Sequence, residues 1–158
     1  MTSDANTPAG FYTDYESWKG WDTLFRYTPD KADYFSGETR GLAIAAADVL
    51  EIGFGSGDFI QWAADRGARV AGTEINPVLL DAAGERGIAL IDADFERVAG
   101  DHRERFDTIV AFDVFEHFSL DEILLRLRAA EKMLKPGGHL VAFGGTRTVH
   151  RLVCAIED

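Results

Sequence analysis

The feature that most constrains this chain is a glycine-spaced turn, Glu51-Ile52-Gly53-Phe54-Gly55-Ser56-Gly57, set between a short apolar run and a helical segment. Asp48 to Ile52 reads as a buried strand, and the stretch from about Asp58 to Arg66, closed by Gly67, reads as a helix. Glycines at such a junction let the backbone turn tightly and let a ligand come close with no Cβ in the way. The turn is therefore expected at the carboxyl end of a strand, where open α/β sheets bind their ligands.

The spacing also says what the turn does not hold. A dinucleotide loop beginning at Gly53 needs glycine where Asp58 stands, and one beginning at Gly55 needs it at Ile60. There is no Gly-Lys-Ser/Thr ending either, so a triphosphate loop is excluded.

From Ala43 onward strand and helix signals alternate, which predicts crossover helices on a parallel sheet. Arg69 to Glu74 is the second strand. Asn76 caps a helix that starts at Pro77 and closes at Gly87, and Ile88 to Ile91 is the third strand. Phe106 to Phe112 is a fourth, almost wholly apolar run, as expected of a strand covered on both faces. Ser119 and Glu122 form a capping box for a helix whose apolar stripe is Ile123, Leu127, Ala130 and Leu134. Pro136-Gly137-Gly138 then stops that helix and turns the chain into a fifth strand, His139 to Phe143. The expected fold is α/β, a three-layer sandwich around a mainly parallel sheet.

A length of 158 residues, with 46% apolar and 27% charged side chains, fits one soluble domain. The net charge of -11 argues against nucleic acid as a partner, because binding phosphate backbones needs clustered Lys and Arg. No apolar run reaches the roughly 20 residues of a membrane helix, and the opening residues lack a signal-peptide layout, so no membrane partner and a cytoplasmic location are expected. The single cysteine, Cys154, is read as an apolar filler.

Residues 1–40 are expected to form an aromatic-rich helical lid, because Phe11, Tyr15, Trp18 and Phe25 follow helical spacing. Such a helix can simply pack on the core or can form the wall of a substrate pocket. Residues 41–145 are the expected ligand-binding core, and residues 146–158 a short tail.

Taken with the glycine turn, three later segments carry a resemblance. Glu74 stands at the end of the second strand, seventeen positions after Gly57, where a carboxylate can accept from both hydroxyls of a ribose. Asp92-Ala93-Asp94-Phe95 follows the third strand. Phe112-Asp113-Val114-Phe115-Glu116-His117 follows the fourth, with Leu134-Lys135-Pro136-Gly137-Gly138 downstream. In this order the segments resemble the class I S-adenosylmethionine-dependent methyltransferases, whose first motif is an acidic residue followed by Gly-x-Gly-x-Gly.

The resemblance covers about Ala43 to Phe143 and implies a Rossmann-like sheet of order 3-2-1-4-5. It implies S-adenosyl-L-methionine as cofactor, held by Glu51, Gly53, Phe54, Gly55, Gly57, Glu74, Ile75, Asp94, Phe95, Phe112 and Asp113, with Asp92 competing with Asp94 for the adenine. It also implies methyl transfer to a small-molecule acceptor, with Asp113 and His117 as candidate catalytic residues beside the transferred group. A second expectation is a cofactor-binding module without turnover. Only Gly144 to Asp158 follow the fifth strand, too few for the helix and antiparallel strands that family members usually add, so an incomplete sheet is expected. Some quinone-precursor O-methyltransferases hold magnesium with an acid-x-x-Glu-His run. Asp113, Glu116 and His117 match that run, yet many relatives carry the Glu-His pair without a metal, and no divalent metal is expected here.

Overall fold

The computed structural model describes residues 23–144 and residue 153. Its apolar runs pair into one five-stranded sheet of order β3-β2-β1-β4-β5, as expected. The strands are β1 (Asp48–Ile52), β2 (Arg69–Thr73), β3 (Ala89–Leu90), β4 (Phe106–Phe112) and β5 (Leu134–Phe143). All four pairings are parallel, with Val49 level with Val70 on one side and with Thr108 on the other. The chain runs outward from β1 through β2 to β3, then crosses back to β4. The reversal leaves a crevice at the carboxyl ends of β1 and β4.

Alternation along the strands sorts the two faces. Val49, Val70 and Val110 point toward helices α1 (Pro29–Glu38), α2 (Asp58–Ala64) and α3 (Pro77–Glu85), where Phe35, Phe59, Trp62 and Ala63 close one core. Leu50, Ala71, Ile109 and Ala111 point the other way, onto α4 (Phe95–Val98) and α5 (Leu120–Met133). Three layers result. Among the described residues no helix is long and apolar enough to cross a membrane.

Local signals decide most helix ends. Thr28 accepts from the Lys31 N–H to start α1, Asn76 accepts from Val78 to start α3, and Ser119 with Glu122 completes the expected capping box of α5. The Pro136-Gly137-Gly138 expectation needs correction. The helix already ends at Met133 and Leu134 is extended, so β5 begins there, pairing Phe106 with Leu134 and then Thr108 with His139. Pro136 to Gly138 form an irregularity inside the strand rather than a turn before it. Gly138 permits it: a Cβ there would lie 2.9 Å from the Lys135 carbonyl oxygen and 3.1 Å from that of Asp107.

At the amino ends of the strands, Lys135 Nζ bridges Asp48 and Asp107, each at 2.8 Å, and Arg69 binds both carboxylate oxygens of Asp48. The crevice lies at the opposite ends.

The expected lid is only partly within the described residues; Phe11, Tyr15 and Trp18 lie outside them, as do Cys154 and most of the tail. Phe25 is described, and it is not helical. It sits in a bend with φ +55, its ring buried.

Candidate functional site

The crevice encloses a cavity of about 640 Å³. Its floor is the glycine turn, whose shape comes from backbone stitching to the end of β2. The Gly53 N–H donates to Thr73 Oγ1 (3.0 Å), the Phe54 N–H to the Thr73 carbonyl (3.1 Å), and the Gly55 N–H to Glu74 Oε2 (3.0 Å). Gly53, Gly55 and Gly57 all adopt positive φ. At Gly53 a Cβ would lie 2.8 Å from a Val114 methyl, so the strand-end loops could not close with a side chain there.

Glu74 lines the cavity, and its carboxylate already accepts three backbone N–H groups, those of Gly55, Ile75 and Asn76. A carboxylate has about four acceptor positions, so capacity for a ligand hydroxyl remains.

Glu51, the last but one residue of β1, is buried at 4% exposure yet lines the same cavity. Its backbone-facing contact is the Ile60 N–H, while Oε2 has no hydrogen-bond partner. Burial first, and then the nearby Asp58 charge, push its carboxyl well above the usual range. Asp58, also buried, pairs with Lys31 of α1, and both line the cavity. The result is a buried acidic end with one cation beside it.

Toward β3 the walls become apolar: Ile75, Ala93, Phe95, Val114 and Phe118. Phe95 takes the expected place, but Asp94 does not line the cavity; it is exposed, with one oxygen 3.7 Å from Arg97, while Asp92 also pairs with Arg97. The polar group at this end is Arg126 of α5. Its guanidinium lies 3.7 Å over the Phe118 ring and 3.0 Å from Glu96.

The third end carries aromatic rings. Phe112, closing β4, stacks on Phe143 of β5 with centroids 4.9 Å apart, and Tyr34 of α1 lies 6.2 Å from Phe112. Desolvation, then Glu38 and Asp113, raise the Tyr34 pKa, so this phenol stays protonated at neutral pH. Asp113 lines the cavity with φ +54, its N–H held by the Phe143 carbonyl at 3.1 Å. His117 lines it too, exposed, with Nε2 3.9 Å from Glu116 Oε1.

Of the residues expected at the site, Glu51, Gly53, Phe54, Gly55, Glu74, Ile75, Phe95, Phe112, Asp113 and His117 line the cavity. Gly57 does not; a Cβ there would meet the Phe25 ring at 2.3 Å. Among the described residues, no three His, Cys, Asp or Glu side chains are grouped as a metal site requires, so Asp113, Glu116 and His117 are not gathered into one. Lys31 and Arg126 were not singled out in the sequence, because each reaches the cavity from a helix outside the strand-end motifs, whereas Tyr34 falls in the aromatic stretch expected as a lid or pocket wall. Lys31 and Tyr34 share a helical i, i+3 spacing, which is the one signal that places them together.

A family model described as a methyltransferase domain matches residues 50–142. The ubiquinone biosynthesis O-methyltransferase of Xanthomonas oryzae pv. oryzae is 28% identical over 139 residues, which is 84% of this chain and 56% of that protein. The protein of the same description from Aliivibrio fischeri is 27% identical over 139 residues, 84% of this chain and 58% of that one. The chain therefore spans little more than half the length of these curated relatives. Among solved structures, a TehB-like SAM-dependent methyltransferase from Corynebacterium glutamicum superimposes with a TM-score of 0.64 at 18% identity, covering 92% of this chain and 80% of that one. An S-adenosylmethionine dependent methyltransferase from Mesorhizobium loti gives 0.57 at 24% identity, covering 70% and 51%. These two are likenesses of fold.

Proposed function

The chain belongs to the class I S-adenosylmethionine-dependent methyltransferase family, and from that premise we propose that it binds S-adenosyl-L-methionine in the 640 Å³ cavity and methylates a small-molecule acceptor. The observation that carries this reading is Glu51. A buried carboxylate with an unpartnered oxygen on a cavity wall is costly unless a ligand satisfies it, and an ammonium group does so with a charge-assisted bond. A pyrophosphate in the same place would be repelled by Glu51, Asp58 and Glu74.

When bound, the cofactor supplies a methyl group activated by the adjacent sulfonium. The chain's own groups do the rest. Glu51 holds the ammonium and Lys31 supplies positive charge near the carboxylate at the same end. Glu74 accepts from ribose hydroxyls, and Ile75, Phe95 and Val114 cover the base without a side-chain acid, since Asp94 faces solvent. The acceptor lies against Tyr34 and Phe112, where His117 receives its proton and Asp113 orients it. Holding the acceptor in a fixed orientation against these residues would provide most of the acceleration. The aromatic wall suits a flat acceptor, which agrees with relatives named for ubiquinone O-methylation, and the net charge of -11 argues against nucleic acid. The cytoplasm is the compartment that agrees with this composition.

The test is calorimetry with S-adenosylhomocysteine and with NAD, followed by a mass-spectrometric screen of phenolic and amine acceptors. Binding of the former alone and a mass gain of one methyl group support the reading. Binding without turnover on any acceptor favours a binding module, and no heat with S-adenosylhomocysteine overturns both.

A further inference from the structure

Phe25 lies outside the strand-end motifs of the sequence, and the geometry around it is specific. Its N–H donates to the Ser56 carbonyl at 2.7 Å, from a backbone at φ +55 that non-glycine residues seldom adopt. Its ring, 3% exposed, meets Phe54 with centroids 5.9 Å apart and lies under the Arg86 guanidinium at 4.6 Å. Gly57 leaves the space it fills, since a Cβ there would lie 2.3 Å from the ring. Leu79 and Ala83 of α3 belong to the same buried cluster. Phe25 thus joins the glycine loop after β1, next to Glu51, to α3, the helix that follows Glu74.

The ring touches the loop from the side away from the cavity. Ser56 and Phe54 line the cavity on one side and meet Phe25 on the other. Their order is what a ligand on that loop feels.

We propose that Phe25 is a positioning residue for the glycine loop, wedging it against α3 so that the loop is preformed for the cofactor. The inference rests on the S-adenosylmethionine reading of the cavity. It gives the third glycine of the motif, which does not line the cavity, a role beside its left-handed φ of +75: Gly57 makes room for Phe25. A preformed loop loses less entropy on binding, and that difference appears in affinity.

The test uses the full chain and three variants, Phe25→Ala, Phe25→Leu and Gly57→Ala, with the double variant Phe25→Ala/Gly57→Ala. Amide hydrogen exchange at residues 54–58 is measured without ligand, and S-adenosylhomocysteine affinity by calorimetry. Phe25→Ala should speed loop exchange and weaken binding about tenfold, while exchange in β4 stays slow. Phe25→Leu should recover most of both. Gly57→Ala should weaken binding in the wild-type background by more than in the Phe25→Ala background, where the clash is gone. If Phe25→Ala is folded, as slow β4 exchange shows, and its loop exchange and affinity match wild type, the positioning role is overturned. Additive effects of the two substitutions overturn it as well. Should wild type not bind S-adenosylhomocysteine at all, the cofactor reading fails and the inference falls with it. If Phe25→Ala does not fold, Gly57→Ala carries the comparison, and wild-type loop exchange and affinity in that variant overturn the proposal.

Discussion

At Glu51 a single carboxylate serves two opposing demands. The fold excludes it from water, which favours the protonated form, whereas a cationic ligand requires the anion. Because its folded pKa is raised, the stability tied to this group is fully present below the ordinary value of 4.5 and is lost as pH rises through the folded value. Ligand-free Glu51→Gln should therefore melt above wild type at mildly alkaline pH, with the gap closing as pH approaches 4.5 in thermal scans. The same variant should bind S-adenosylhomocysteine about tenfold more weakly, a loss of about 1.4 kcal/mol. Tighter binding in calorimetry would contradict the ammonium role. Asp113 poses a backbone question instead. At φ +54, aspartate and asparagine are tolerated better than β-branched residues. Asp113→Asn should keep wild-type stability in urea titration, while Asp113→Val should lose about 1–2 kcal/mol.

At the scale of elements, the least regular piece is β5, which absorbs Pro136 to Gly138 without leaving the sheet. Two glycines there do different work. Gly137 has φ +78 but open space around it, so Gly137→Ala should cost about 1–2 kcal/mol from the left-handed backbone alone. Gly138 faces the Lys135 and Asp107 carbonyl oxygens, and Gly138→Ala must push strand backbone apart. That should cost about 1–3 kcal/mol and disturb the β4·β5 pairing that presents Phe112 and Phe143. The readout is the urea midpoint of each variant, together with amide exchange along β5. Disturbed exchange in Gly137→Ala and none in Gly138→Ala would reverse the assignment.

Across the whole molecule, charge is divided between the two ends of the sheet. The carboxyl ends gather Glu51, Asp58 and Glu74 around the cavity, while the amino ends lock Asp48, Asp107, Lys135 and Arg69 into one network. Arg69 foremost, then Lys135, hold the Asp48 carboxyl well below its usual range, and Lys135 first lowers that of Asp107. With folded pKa values depressed, this stability is present above the ordinary aspartate value of 3.8 and is lost as pH falls through the folded ones. Lys135→Met should therefore move the acid-unfolding midpoint to higher pH, followed by circular dichroism, and leave S-adenosylhomocysteine affinity unchanged because the network lies at the opposite end from the cavity. A lowered affinity would show that the two ends are coupled.

Periodicity and spacing along the chain were enough to determine the alternation of strands and helices, the turn at Gly53 to Gly57, the caps at Asn76 and Ser119, and the strand-end positions of Glu51, Glu74 and Phe112, while the order of the strands in the sheet followed from the family resemblance. Those features are set by residues close in sequence, where an alternating or glycine-spaced pattern leaves few alternatives. What only the tertiary structure decided depends on contacts between distant segments. Phe25 reads as part of a helical stripe, yet its ring is drawn into the space Gly57 leaves, and burial of an aromatic side chain outweighs local helical preference. Asp94 reads as an adenine ligand, yet Arg97 sits near it outside the cavity while Arg126 enters from α5. Pro136 to Gly138 read as a stop, yet pairing of Leu134 and His139 with β4 on either side keeps them within the strand, because hydrogen bonds with a neighbouring strand are gained only after the chain has folded back on itself.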